Sequence, residues 1–306
     1  MTNSCLRLRA QGLAAARAFF AERKVLEVDC GALRRCPPLD ANIDAMTVNV
    51  FDAEIGYLHT SPEYAMKKLL TLGSGDIYFL GHVYRKGELG PRHNPEFTMA
   101  EWYRLNYQLT DMIDETCQFL SLFTGNLPKR ILSYQDAFSS SIHLDPETAS
   151  TEDLLEAARQ CHIDLPLDAI SWGKNTLVHL LLTHVIEPQL GRGEMTVLTD
   201  YPPHEAALAC VVEKKGRLVA ERFEIYINGL ELANGYHELS VAAELRERFE
   251  NLNQERKTPY PLDEQFLSAL ETGLFPPCCG VSVGFDRALM IQYGLSNISE
   301  IIPFGW

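Results

Sequence analysis

The chain has 306 residues, of which 46% are hydrophobic and 22% are charged. This composition excludes a disordered or collagen-like chain, and the length is enough to bury a sizeable core in one or two domains. The 41 acidic and 27 basic residues give a formal net charge of −14. That charge argues against a general nucleic-acid-binding protein, because such proteins carry a basic excess.

The sequence indicates neither a membrane span nor a secretory signal. No apolar run approaches the ~18 residues of a membrane helix, and the N-terminal stretch lacks the apolar centre of a signal peptide. The eight cysteines are scattered without a CxxC pair, which is typical of free thiols in a reducing compartment. We therefore expect a cytoplasmic protein.

The first part of the chain predicts a helix, short strands and a second helix. Apolar periodicity predicts a helix over residues 5–24, and residues 25–57 favour short strands. Ser61 and Pro62 are typical of a helix start, and Gly73 is typical of a helix end. The side chains of this second helix expected to face the core are Met66, Leu69 and Leu70.

Two strands are predicted at 77–84 and 97–107, on either side of the charged loop 85–95. A strand, a loop and a strand in this order favour an antiparallel pair. A helix over residues 110–124 follows.

The second half of the chain alternates helices with locally paired strands. Residues 126–190 are predicted to form a helical insertion, with helices at 151–161 and 174–187. The remaining predicted elements are strands at 195–199, 207–213 and 218–227, helices at 240–257 and 263–272, a strand at 279–284 and a helix at 285–293. Locally paired strands with helices around them indicate an α+β fold, and no linker divides residues 1–306, so we expect a single domain.

The loop RKGELGPRHNP collects cationic groups around one turn. Its cationic or potentially cationic residues are Arg85, Lys86, Arg92 and His93. Arginine offers a planar fork of donors that matches phosphate oxygens, and Gly87 and Gly90 let the backbone bend. Asn94, Glu96 and Phe97 add an amide, a carboxylate and an aromatic face. The loop therefore predicts a polyphosphate and purine site, and the alternative is a solvated charged hairpin.

The segment RFEIYINGLELANGYHEL predicts a hairpin that carries two acids on one face. Asn228-Gly229 between apolar alternations is a strong two-residue turn signal. Counting outward from this turn places Glu224 and Glu231 on the same face of the sheet. Two carboxylates there repel unless a cation lies between them, and Mg²⁺ is the natural candidate. The alternative is that one of the two acids faces solvent. A bulge at Gly235 would bring a third acid, Glu238, to the same side, where it would suit a substrate amine.

The segment GVSVGFDRALM predicts a strand that ends at Gly284 and a helix that opens with Asp286-Arg287. A helix N-terminus favours anions, and an arginine there adds a fixed positive charge.

Together these motifs resemble the class II aminoacyl-tRNA synthetases of the lysine type. HNPEFTMAEWY with the upstream Arg85 resembles their second signature motif, GVSVGFDRALM their third, and GLELANGYHEL the element between them. TSPEYAMKKLL resembles their amino-acid-binding loop and helix. The matches cover most of the chain in the right order. The motifs begin near residue 13, so we expect no anticodon-binding domain. This layout resembles that of the related ligases that attach (R)-β-lysine to a lysine of translation elongation factor P.

The resemblance implies roles for named residues around ATP and Mg²⁺. Arg85 would hold the α-phosphate and the substrate carboxylate, Arg287 would lie on the other side of the nucleotide, and both would be catalytic. Arg92 would meet the outer phosphates with help from His93 and Asn94, and Phe97 would stack on adenine. The nucleotide-binding residues implied are Arg85, Lys86, Gly87, Glu88, Arg92, His93, Asn94, Phe97, Glu231, Leu232, Gly284 and Arg287. Glu224 and Glu231 would hold Mg²⁺.

The resemblance also implies a site for a diamino acid, lysine or (R)-β-lysine. Glu63 would lie near the amine at the reacting end, and Glu101, Tyr103 and Glu238 would bind the distal amine. The substrate-binding residues implied are Ser61, Pro62, Glu63, Glu101, Tyr103, Asn234, Glu238 and Ser282. The partners implied are elongation factor P and a second copy of the chain, without stable tRNA binding.

Three positions depart from the family pattern. Gly87 stands where the second motif has a glutamate that contacts adenine, with Glu88 as a substitute. Gly31 stands where the first motif has a proline at the dimer interface, and Ser282 replaces a glycine or alanine. Two other interpretations remain open: an adenylating enzyme that charges tRNA or a small molecule, and a non-catalytic regulatory paralogue. The glycine at position 87 favours the second of these.

Overall fold

The computed structural model describes residues 3–52 and 54–306. The first two residues of the N-terminal stretch, and residue 53 within the segment expected to form short strands, lie outside the described residues. The chain divides into two compact units. The first comprises residues up to 125 together with 207–209 and 235–306, and the second comprises 126–206 and 210–234.

The helices and strands follow the predicted order closely. The elements up to residue 125 are α1 (Asn3–Glu22), β1 (Leu26–Glu27), β2 (Leu33–Arg34), β3 (Met46–Phe51), β4 (Glu54–Leu58), α2 (Glu63–Thr71), β5 (Ile77–Tyr84), β6 (Glu96–Leu105) and α3 (Leu109–Thr124). The next are β7 (Lys129–Ser133), α4 (Tyr134–Ile142), α5 (Thr151–Gln160), α6 (Lys174–Leu181), β8 (Met195–Tyr201), β9 (Val211–Lys214), β10 (Arg217–Ile227) and β11 (Leu230–His237). The last are α7 (Ala242–Glu255), α8 (Glu264–Glu271), β12 (Cys278–Gly284) and α9 (Phe285–Tyr293).

The first unit is built on a sheet in the order β1-β5-β6-β12, followed by the end of β11. Strand β1 is parallel to β5, whereas β6 is antiparallel to both β5 and β12. The register pairs Ser282 of β12 with Glu101 of β6, and Gly280 with Tyr103. Because side chains alternate along a strand, this register places Glu101 and Tyr103 on one face of the sheet. Strands β2, β4 and β3 form a separate antiparallel sheet.

Aromatic residues join α1 and α3 to this sheet. The ring of Phe20 stacks on Tyr78 at 4.1 Å between centroids, and it also contacts Trp102 and Phe119. All four residues are at most 3% exposed, so this packing is a large part of the hydrophobic stabilisation of the unit.

Helix α2 begins next to the expected residues and buries two of the three side chains predicted to face the core. Its first residue is Glu63, whose backbone N–H donates to the Ser61 hydroxyl at 2.9 Å. Met66 and Leu70 are buried as predicted, but Leu69 is only half-buried. Lys67 is fully buried instead, so the prediction for Leu69 was wrong, because the helix turns a lysine toward the acids of the neighbouring strands.

The second unit contains a sheet in the order β11-β10-β8-β7, with β9 paired to β10. The β10–β11 turn lies at Asn228-Gly229, with φ of 53° and 68°, as the sequence predicts. Residues 126–190 are largely helical as expected, but they begin with β7, an edge strand parallel to β8. The side chains of β7 are mostly exposed, so the strand has no apolar run that would have revealed it.

Among the described residues no disulfide joins two cysteines, in agreement with the sequence prediction. Among the described residues, no helix is long and apolar enough to cross a membrane.

Candidate active site

Five polar side chains that the sequence predicts for substrate binding surround a buried lysine, Lys67, in the first unit. We call this group, formed by Ser61, Glu63, Lys67, Glu101, Tyr103 and Glu238, the acidic cluster. Lys67 Nζ lies 2.7 Å from Glu63 and 2.5 Å from Glu238. Glu101 accepts hydrogen bonds from the Ser61 hydroxyl at 2.7 Å and from the Tyr103 hydroxyl at 2.9 Å. The structure therefore brings together five of the eight residues predicted for substrate binding.

Burial in the acidic cluster raises the pKa of two carboxyl groups. Burial and the charge of Glu63 raise the pKa of Glu101 to about 8, against the hydrogen bonds from Ser61 and Tyr103. Burial raises the pKa of Glu238 to about 7, although the Lys67 charge opposes this. These carboxyl groups hold protons near neutral pH and release them when a cation approaches, which suits an ammonium ligand.

Sequence reasoning missed Lys67, the cation within the cluster. Burial lowers the pKa of its ammonium group, but the charges of Glu238 and Glu63 outweigh burial and raise it above the ordinary value. The available signal was the spacing of Glu63 and Lys67, four residues apart on the helix that carries the predicted substrate loop.

Strand β12 approaches the acidic cluster through small residues. A Cβ atom at Gly280 would lie 2.4 Å from Glu238 Oε1 and 2.4 Å from Tyr103 Cε1. The absence of a side chain at this position therefore lets both groups pack against the strand. Ser282 is half-buried and pairs with Glu101 across the sheet, so the two side chains lie on the same face of the sheet. Pro62 is buried at the start of α2.

The charged loop after β5 presents Arg85 to a ligand. Its guanidinium lies 5.1 Å from the centre of the Phe97 ring and its Nη1 lies 3.7 Å from Glu88. Among the described residues, the buried Nε of Arg85 has no hydrogen-bond partner. A buried unpaired donor is costly, and an anion such as a phosphate or a carboxylate would satisfy it.

Position 87 has a backbone role. Gly87 has φ of +80° and is exposed, as is the neighbouring Lys86. A glycine suits this left-handed conformation, which side chains rarely adopt. Glu88 supplies the carboxylate next to Arg85.

Arg287 and His93 meet at the start of α9. Arg287 Nη2 lies 2.7 Å from His93 Nε2, and Arg287 Nε donates to the carbonyl of Arg92 at 3.3 Å. Because a guanidinium only donates, His93 accepts through an unprotonated Nε2. Burial and the Arg287 charge lower the pKa of His93, so the histidine is neutral and the positive charge remains on the arginines. Gly284 is the N-cap residue of this helix.

The Asn94 side chain forms hydrogen bonds with backbone groups. Its amide nitrogen donates to the carbonyl of Glu96 at 2.6 Å, and its oxygen accepts from the N–H of Trp306 at 2.9 Å. The side chain is 4% exposed. A direct contact with a phosphate would require one of these two hydrogen bonds to break.

The hairpin of the second unit carries Glu224 with a cation already beside it. Glu224 accepts from Arg222 Nη2 at 2.6 Å and from the Tyr226 hydroxyl at 2.5 Å, and it is 6% exposed. Arg222 also contacts Asn234 at 3.3 Å. Glu231 is half-buried and Leu232 is buried on the partner strand. The prediction that a cation offsets these acids is thus partly met by Arg222, which sequence reasoning missed.

The donor set of this hairpin suits Mg²⁺. Within the described residues, no group of three or more histidine, cysteine or acidic side chains is arranged to hold a metal ion. Magnesium is commonly bound through one or two carboxylates, with nucleotide phosphates and water completing the shell. Two glutamates on one hairpin face match that pattern, and a three-residue protein site is not required.

Comparisons with known proteins place the chain among class II enzymes. Residues 1–306 match the model for class II tRNA synthetases (D, K and N). The chain is 42% identical to a Haemophilus influenzae (strain PittGG) protein named elongation factor P-(R)-β-lysine ligase, covering 97% of this chain and 93% of the relative. It is 40% identical to the protein of that name from Haemophilus ducreyi, covering 97% and 92%. It is 37% identical to that of Hamiltonella defensa, covering 97% and 93%.

Proposed function

We propose that this chain, which belongs to the class II tRNA synthetase family (D, K and N), is an ATP-dependent ligase that joins (R)-β-lysine or lysine to elongation factor P. The family match confirms the resemblance inferred from the motifs, and the observed sheets and helices confirm the α+β fold expected from the locally paired strands. The acidic cluster carries this proposal. A buried group of carboxylates with pKa values near neutrality suits a substrate that brings positive charge with it.

The amines of the substrate would be held by the acidic cluster. Glu63 is 14% exposed and lies at the start of α2, where it would meet the amine next to the reacting carboxyl group. Glu101, Glu238 and the hydroxyl of Tyr103 would bind the distal amine. Each of these three residues is at most 4% exposed, so an ammonium bound there would be removed from water and would need paired carboxylates.

Adenylate formation needs little covalent help from the protein. An oxygen of the substrate carboxylate attacks the α-phosphorus of ATP in line, and pyrophosphate leaves. Arg85, whose Nε lacks a partner among the described residues, would bind the α-phosphate and the attacking carboxylate together. Arg287 would supply a second fixed positive charge, since the neighbouring His93 is neutral and the positive charge stays on the guanidinium. Positioning and neutralisation of developing charge would provide most of the rate.

In the second step a lysine amine of the acceptor protein attacks the carbonyl carbon of the adenylate. The new amide bond replaces the mixed anhydride bond, AMP leaves, and the amine proton passes to solvent or to the departing phosphate.

Glu224 and Glu231 would hold the Mg²⁺ that accompanies ATP, where the ion offsets phosphate charge.

We also propose that the enzyme works in the cytoplasm as a homodimer. The sheet formed by β2, β4 and β3 exposes Phe51 and Ile55, at 72% and 52% exposed, and apolar groups of this kind favour association. Gly31 has no neighbour within 4 Å at its Cβ position, so the structure leaves room where the family has its interface proline. Light scattering of the purified chain tests this, and a monomer at micromolar concentration would contradict it.

The family resemblance also admits charging of tRNA or a small molecule, and Gly87 favours a regulatory paralogue. Amino-acid-dependent exchange of labelled pyrophosphate into ATP separates these possibilities. We expect exchange with (R)-β-lysine or lysine. Exchange without transfer to elongation factor P would indicate another acceptor, and the absence of exchange with either amino acid would favour the regulatory paralogue.

A further inference from the structure

Lys67 occupies an unusual position for a lysine, because its side chain is 0% exposed. Its Nζ joins Glu63 on its own helix to Glu238, which lies just beyond β11. Lys67 therefore contacts both Glu63, which we assign to the substrate amine at the reacting end, and Glu238, which we assign to the distal amine.

The charges around Lys67 come from several elements. Glu63 lies on α2, and Glu101 and Tyr103 lie on β6. Glu238 follows β11, with His237 beside it, and Cys30 lies near Glu101. The Cys30 thiol is kept neutral, since burial raises its pKa to about 11. With the three acids ionised and Lys67 protonated, the cluster carries a formal charge of −2. The two ammonium groups of a diamino acid together carry +2 and match that charge, while its carboxylate would lie outside the cluster.

We propose that Lys67 is a positioning residue that holds the carboxyl groups of Glu63 and Glu238 aimed at the two amines, so that the pocket selects a diamino acid over a monoamine of the same length. This inference rests on the proposed function. Lys67 does not touch the reacting atoms itself and acts through the two carboxylates.

The physical reason lies in the repulsion between buried acids. Without Lys67, Glu63 and Glu238 would lie close together with no cation between them. Because the Lys67 charge lowers the pKa of Glu238, the buried Glu238 carboxyl group would then hold its proton more tightly. A protonated carboxyl group pairs poorly with an ammonium. Substrate binding would then have to remove that proton, and binding would become weaker and more dependent on pH.

Lys67→Gln tests this, because glutamine keeps hydrogen-bond donors near the two acids and removes the charge. The matched control is Lys68→Gln, since Lys68 pairs with Asp263 on the neighbouring helix and is 27% exposed. Each protein is assayed by pyrophosphate exchange with lysine and with norleucine, which lacks the second amine, between pH 6 and pH 9. Melting temperatures are measured in parallel.

For Lys67→Gln we expect KM for lysine to rise by about 10- to 100-fold, with kcat changed much less. We also expect the preference for lysine over norleucine to fall by a similar factor, and KM to depend more steeply on pH than in the wild type. The control should keep the wild-type profile. Lys67→Arg, which restores the charge, should recover the preference for lysine over norleucine. If Lys67→Gln does not fold, this preference in Lys67→Arg tests the inference instead.

A Lys67→Gln enzyme with the wild-type KM, amine preference and pH profile would overturn the inference while leaving the proposed function intact. A Lys67→Arg enzyme that has lost lysine preference would also overturn it. Absence of lysine- and β-lysine-dependent exchange in the wild type would overturn the proposed function and this inference together.

Discussion

Replacing Gly280 by alanine is expected to disturb substrate binding through a single added methyl group. The new Cβ atom would lie 2.4 Å from both Glu238 Oε1 and Tyr103 Cε1. An ordinary contact is about 1 Å longer, so one of the two groups has to move. Glu238 is bound to Lys67 and Tyr103 to Glu101, and both are buried. Neither can turn away without breaking a polar contact.

Overpacking of this kind costs about 1–3 kcal/mol. If the displaced group is Glu238, that cost appears in binding of the distal amine, and KM for lysine should rise by roughly fivefold to 150-fold. Pyrophosphate exchange measures this, with kcat expected to change little because Arg85 lies on a separate loop. The melting temperature should fall by a few degrees.

Gly31→Ala is the matched control, because its Cβ would meet nothing within 4 Å. Neither glycine has a positive φ, so alanine is compatible with the backbone at both positions. A Gly280→Ala enzyme with unchanged KM and melting temperature would refute the packing argument.

Three further predictions concern the arginines and the buried acids. Arg85→Ala should reduce pyrophosphate exchange by at least ~100-fold, or about 2.7 kcal/mol, with a melting curve close to that of the wild type, and near-normal exchange would contradict its assigned role. Arg9→Met should lower the free energy of unfolding by about 3–5 kcal/mol in denaturant titration, because the buried Asp286 carboxylate keeps its hydrogen bond from the Thr98 N–H but loses its cation. The same substitution at the exposed Arg7 should change the free energy of unfolding by less than about 0.5 kcal/mol. The folded chain holds the protons of Glu101 and Glu238 more tightly than the unfolded chain, with pKa values of about 8 and 7 against 4.5. The free energy of unfolding without substrate should therefore fall as pH rises from about 5 to about 8, while lysine binding becomes tighter over the same range. Calorimetry measures both quantities. A free energy of unfolding that rises with pH, or lysine binding that weakens, would contradict the burial of these acids.

The parts of the fold that sequence reasoning predicted depend on short-range signals. The turn at Asn228-Gly229 follows from two adjacent residues that tolerate positive φ. Helix α2 begins next to Ser61 and Pro62, and the N–H of its first residue, Glu63, donates to the Ser61 hydroxyl. The motif around Arg85 is likewise read from consecutive residues.

The missed features depend on contacts between distant parts of the chain or on residues in unusual environments. Arg9 and Asp286 are 277 positions apart, and no local pattern joins them. Lysine is seldom fully buried, so Lys67 is naturally assigned to a solvated helix face. Sequence reasoning missed the role of Arg222 for a different reason. The hairpin count left two possibilities for the acids, a cation between them or one acid facing solvent, and it did not consider that the protein supplies a cation two residues from Glu224.

The central claim is tested most directly by the intact mass of elongation factor P. The acceptor is incubated with this protein, ATP, Mg²⁺ and either lysine or (R)-β-lysine, and a variant acceptor without the modified lysine serves as control. We predict a mass gain of one lysyl unit on the wild-type acceptor alone. An unchanged mass with both amino acids, from an enzyme that catalyses pyrophosphate exchange, would contradict elongation factor P as the acceptor.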